Sequence, residues 1–235
     1  KGGNIRIRFV NFKPDFHYVK EICRGGFPSL CRQGLASVSG ILLNHGAGVY
    51  GDAAIAAMSI VSRVSMFAGS ALIGFGQGFQ PVCGFNYGAK LYQRVREGFW
   101  FCVKYATVFL VGVAVAGSIF APQVVALFRK GDTQVVEVGA AALRMQCIAF
   151  PLTGWIVMSN MMLQSIGKAL KASVLAAARQ GLFFIPLILL LPRLFGLFGV
   201  EICQTVSDIC SFALAVPLCL SVLNEMKAQE KELHA

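Results

Sequence analysis

Apolar residues in this chain gather into six long runs, each bounded by glycine, proline or charge: Phe27 to Val49, Ala53 to Val82, Gly98 to Ala121, Val135 to Ile166, Ala172 to Leu191 and Leu197 to Leu223. A helix needs about 20 mostly apolar residues to cross a bilayer, and every run meets that length. The longer runs leave room for tilt or an interfacial turn. Pro28 falls in a first turn, whereas Pro151, Pro186 and Pro217 fall inside runs. An interior proline removes one backbone donor and crowds the preceding turn, so those three positions predict kinks. The pattern is that of an all-α, polytopic membrane protein with six transmembrane helices.

Composition agrees, since 56% of the 235 residues are hydrophobic and only 14% are charged. The positions of Lys and Arg then orient the runs, because short basic connections stay on the cytoplasmic side. With the first segment inside, Lys1, Arg6, Arg8, Lys13, Lys20, Arg24, Lys90, Arg94, Arg96, Lys168, Lys171, Arg179, Lys227 and Lys231 are all inside, and only Arg129, Lys130 and Arg193 are outside. Both chain ends and the turns Gly88 to Glu97 and Gly167 to Gln180 are therefore expected in the cytoplasm. The formal charge of +10 follows from this topology and carries no nucleic-acid meaning. Three segments result: a cytoplasmic linker over 1–26, a membrane lobe over 27–223 and a cytoplasmic tail over 224–235. The chain opens on Lys1 and its first segment has no apolar run, so it is read as starting inside a longer protein rather than with a secretory signal. Cys31, Cys102, Cys147, Cys203, Cys210 and Cys219 lie in apolar stretches without a Cys-x-x-Cys spacing and read as small buried hydrophobes, with no metal site.

Tyr87, Tyr92, Phe99 and Trp100 suit an interfacial belt, and Gly74 with Gly78 has the small-xxx-small spacing of a helix contact. The stretch GFGQGFQPVCGFNYGAK, Gly74 to Lys90, is more specific. It resembles the segment of the multidrug and toxin extrusion (MATE) family in which a glycine- and glutamine-rich helix end runs into an Asn-Tyr-Gly-Ala turn. FPSLCRQGLASVSGILLN (Phe27 to Asn44), YGDAAIAAMSIVSR (Tyr50 to Arg63), MSNMMLQSIGKA (Met158 to Ala169) and QTVSDI (Gln204 to Ile209) follow the order of that family's second half. The resemblance implies one six-helix half of a twelve-helix transporter of the cytoplasmic membrane. Its partners are membrane lipid, a missing N-terminal six-helix half and small cationic or amphipathic substrates, exported in exchange for H⁺ or Na⁺ with no cofactor. A flippase for lipid-linked oligosaccharide or polysaccharide, within the same superfamily, is the alternative. Some members carry carboxylates in the seventh and tenth helices; here those runs contain only Glu137, near an outer end.

Charge at bilayer depth is costly and marks either an internal pair or a pathway. Lys104 and Arg32 lie close enough to a cytoplasmic end to snorkel. Arg63, Arg144 and Asp208 lie deeper, at about 14 to 16 Å from the outer ends of their runs at about 1.5 Å per residue, and Asp208 is expected to pair with one of the two arginines. Gln204 sits one turn from Asp208, and Asn160 with Gln164 forms a second i, i+4 polar pair, interleaved with Met158, Met161 and Met162. A methionine-rich face of this kind either fills a core or adapts to varied apolar ligands. No nucleophile stands beside a base at depth: His17 and His234 lie in the end segments and His45 is isolated, so catalytic residues are not expected.

Overall fold

In the computed structural model, which describes residues 15–129 and 132–233, the chain is a bundle of helices: α1 (Phe16–Gly48), α2 (Asp52–Gly88), α3 (Tyr92–Ile119), α4 (Ala121–Phe128), α5 (Thr133–Ser165), α6 (Ala169–Ala177), α7 (Phe184–Phe195) and α8 (Leu197–Leu233). A π-helical segment, Ala178–Leu182, joins α6 to α7. Among the described residues, five stretches are long and apolar enough to cross a membrane: α2, α3, α5, the α6–α7 unit Ala169–Phe195, and α8. The first run lies on α1, where Arg32, Gln33, Asn44 and His45 dilute the apolar residues, and this helix is not among the five.

The boundaries depart from the sequence reading in three places. α1 begins at Phe16, capped by the Asp15 carboxylate accepting from His17 N at 3.1 Å, so Pro28 lies in its interior and not in a first turn. The part of the expected linker in residues 1–14 is outside the described residues, as are Lys130 and His234. α8 continues as helix to Leu233 through most of the expected tail. The reason is visible in the ion pairs: Glu225 takes Lys168 at 2.6 Å and Glu230 takes Arg96 at 2.6 Å, fastening the last turns of α8 to the α5–α6 turn and to the start of α3.

α5 occupies the centre, packed on α2, α3, α4, α6 and α8, and half of its apolar window is buried against a third for α2 and α3. Its small residues permit this, since Gly139 lies against Val125 and Ala57, and Gly154 against Thr107 and Leu110. The Asn-Tyr-Gly-Ala turn is the end of α2: Lys90 adopts φ 60° and Leu91 N bonds Asn86 O at 2.9 Å, which closes the helix in the manner usual for a left-handed C-terminal residue. Among the described residues Gly74 and Gly78 meet no neighbour within 4 Å and so make no helix contact; Gly76 does, beneath Met158 and Met161. Phe99 is fully buried and stacks edge-on with Trp155 at 5.6 Å, so it belongs to the core and not to a belt.

Candidate functional site

Three polar features stand at bilayer depth. The first is centred on Asp208, which is 0% exposed. Its neighbour across the bundle is Arg179: Nε donates to Oδ1 at 2.6 Å and Nη2 to Oδ2 at 3.3 Å. Gln146 Nε2 donates to Oδ2 at 3.1 Å and Gln204 Nε2 to Oδ1 at 3.0 Å. Both carboxylate oxygens are thus met by two N–H groups each, the arrangement a buried anion requires. This corrects the expectation of a partner in Arg63 or Arg144. It also moves Arg179 out of a cytoplasmic turn, because that turn is confined to 166–168 and α6 starts at Ala169. At about 1.5 Å per residue Arg179 lies about 15 Å along the span.

Arg144 and Arg63 sit elsewhere. Arg144 is exposed, donates from Nε to Ser118 O at 3.3 Å at the end of α3, and lines a hollow of about 380 Å³ with Asp132 and Glu137. Arg63 is exposed on α2 and makes no hydrogen bond or ion pair among the described residues.

The second feature links α2, α5 and α6. Gln164 Nε2 donates to Asn160 Oδ1 at 2.8 Å, Asn160 Nδ2 donates to Ala172 O at 2.7 Å, and Gln80 Nε2 reaches Gln164 Oε1 at 3.4 Å. The interleaved methionines are core: Met158 and Met162 are fully buried and Met161 is 6% exposed. Met158 and Met161 fill the space above Gly76, and the three present no face to a ligand in this arrangement.

The third feature is a contrast between outer faces. On α2 the face turned from the core carries Arg63, Ser70, Gly74, Gln77 and Gly78 together with the exposed Met66 and Phe67, and on α1 the exposed positions Gln33, Ser37, Gly40 and Asn44 fall three or four apart. The outer face of α3 is more apolar, presenting Phe101, Val108, Val111, Val115 and Ile119, with Lys104 and Tyr105 toward its first turns. Lipid accepts the α3 face readily, whereas polar groups at this depth need water or protein beside them.

Sequence reasoning missed Arg179, Gln146 and the outer stripe of α1. Arg179 lay inside the run Ala172 to Leu191 while also being assigned to a turn, and that conflict was the available signal. Gln146, buried among apolar residues of α5, was a second.

The MatE family model matches residues 28–190. The multidrug export protein MepA of Staphylococcus haemolyticus is 28% identical over 234 residues, covering 99% of this chain and 51% of that protein. MepA of Staphylococcus aureus strain NCTC 8325 is 28% identical over 197 residues, covering 80% of this chain and 41% of that protein. The chain thus spans about half the length of the curated relatives it matches. Among solved structures, a MATE protein in complex with MaL6 superposes with a TM-score of 0.88 at 22% identity, over 96% of this chain and 51% of the other. The outward-facing conformation of a multidrug resistance MATE family transporter gives 0.86 at 23% identity, over 96% and 51%. The flippase alternative finds no support among these relatives. A multi-pass helical membrane chain, with the MatE model spanning most of its length and with this fold, belongs to the MATE family.

Proposed function

We propose that this chain forms the C-terminal half of a twelve-helix antiporter of the cytoplasmic membrane, which exports small cationic or amphipathic drugs in exchange for H⁺ or Na⁺. The α1–α2 outer face is one wall of the passage, and an N-terminal half supplies the opposite wall. The observation that carries this reading is that the outer faces of α1 and α2 place Gln33, Ser37, Asn44, Arg63, Ser70 and Gln77 at membrane depth among glycines and the exposed Met66 and Phe67, beside a largely apolar outer face on α3. Relatives twice as long, named for multidrug export, support the substrate class and the second half. The basic turns at the Lys168 and Arg96 end support a cytoplasmic placement of both chain ends. Asp208 has both oxygens occupied by side-chain donors, which supports placing the coupling ion outside this half.

Accessibility to a water-soluble thiol reagent tests the stripe. In a cysteine-free full-length protein, Ser70→Cys and Gln77→Cys are expected to react in membranes open to reagent on both sides, while Val108→Cys and Val115→Cys stay protected. Equal protection at all four positions contradicts a passage along α2.

A further inference from the structure

The span formed by α6 and α7 is interrupted at its middle by the π-helical turn Ala178–Leu182, in which Phe183 N bonds Ala178 O at 3.0 Å. Such a turn holds one residue more than the α-helical path. Closing it to α geometry rotates one half of the span against the other by about 100°, the angle per residue of an α-helix. The turn is held from two neighbouring helices, α1 and α8. Ser39 of α1 donates its hydroxyl to Gln180 O, and Ser207 of α8 donates to Arg179 O at 2.6 Å, so the carbonyls that the π register leaves loose are satisfied from outside the helix. The Arg179 guanidinium is drawn to Asp208 of α8, and Asp208 is itself held by Gln146 of α5. On the far side Pro186 has no N–H to offer Leu182 O in the α register or Gly181 O in the π register, so the backbone pattern is interrupted there in either. Gly181 completes the joint, since a Cβ there would come within 2.9 Å of Leu35 Cδ1.

Among the described residues the side-chain restraints on this turn are two hydroxyl hydrogen bonds and an ion pair, beside the Leu35 contact and the packing of the fully buried Ala178. Either side of it, the span is tied down: Asn160 bonds Ala172 O on α6, and Tyr50 OH bonds Pro192 O on α7. A π turn between two anchored half-helices is a place where the backbone register can change while either end stays fixed.

We propose that Ala178–Leu182 is a hinge and that the Asp208–Arg179 pair is its latch: while the pair holds, α6 and α7 keep one fixed angle, and when Arg179 leaves, the two halves reorient about the turn. Ser39 and Ser207 are positioning residues that set the π register. The inference concerns the motion of one span and does not rest on the export reading, so its failure leaves that reading untouched.

The test is a pulsed dipolar distance between nitroxides at Leu170 and Leu194, which are 80% and 64% exposed. They lie about 36 Å apart along the span at about 1.5 Å per residue, within range of the method. In the full-length protein in lipid nanodiscs, a single narrow distribution is expected. Asp208→Asn keeps the shape and removes the charge; it is expected to add a second population, displaced by more than the wild-type width. The Ser39→Ala, Ser207→Ala double variant leaves the ion pair in place and is expected to add the same population, which decides the matter if Asp208→Asn does not fold. A merely structural role for Asp208 lowers thermal stability and leaves one distance. Folded variants whose distributions superimpose on the wild type overturn the proposal.

Discussion

Asp208→Ala is expected to cost the folded protein about 3 kcal/mol, at the low end of what breaking a buried ion pair costs, because Arg179 retains 27% side-chain exposure and regains some hydration. The truncation leaves a guanidinium that cannot deprotonate, together with Gln146 and Gln204 amides that lose their acceptor. Arg179→Met alone leaves the opposite problem, a carboxylate at 0% exposure with amide donors only. The double variant Asp208→Leu, Arg179→Met removes both charges and is expected to recover most of the loss, since buried pairs replaced by apolar groups are often neutral. Thermal unfolding in detergent, followed by tryptophan fluorescence, reads all three. A loss below about 1 kcal/mol for Asp208→Ala contradicts this picture of the pair, being the size of an exposed one.

Arg63→Glu is expected to reduce drug efflux by the full-length protein tenfold or more while leaving folding and membrane insertion intact. Arg63 stands about 16 Å along α2 at about 1.5 Å per residue, on the face turned from the core, and no acid meets it among the described residues. A cation so placed needs water or an acid facing it across the passage, and a cationic substrate passing an unpaired guanidinium is repelled. Reversing the charge sets two acids against each other, whereas Arg63→Lys keeps the sign and is expected to keep most of the transport. Because the residue touches nothing in the core, thermal stability is expected within about 0.5 kcal/mol of the wild type. Wild-type efflux from a well-inserted Arg63→Glu protein removes Arg63 from the passage.

The helical architecture was legible because apolar run length and the alternation of basic turns are properties of local sequence. Helix ends were less so: α1 starts at Phe16 on an Asp15 cap, and α8 is prolonged by Glu225 and Glu230 finding Lys168 and Arg96. Those are tertiary contacts that no window average contains. Asp208 and Gln204 were read together because they lie one turn apart on one helix, and they do hydrogen-bond. The partner Arg179 comes from another helix, and equal depth alone does not choose among arginines. Facing does: Arg63 and Arg144 point away from the α5–α8 contact, and Arg179 points into it. The methionines illustrate the same limit, since Met158 and Met161 look alike as core or as ligand face until Gly76 is seen beneath them.

Ethidium efflux from proteoliposomes is the most direct measurement of the central claim. The full-length protein carrying this chain, reconstituted with an imposed Na⁺ or H⁺ gradient, is predicted to move ethidium against its concentration, and residues 1–235 alone are predicted to move none, since on the proposed reading they supply one wall of the passage. No efflux from the full-length protein under either gradient, or efflux from residues 1–235 alone, contradicts the account.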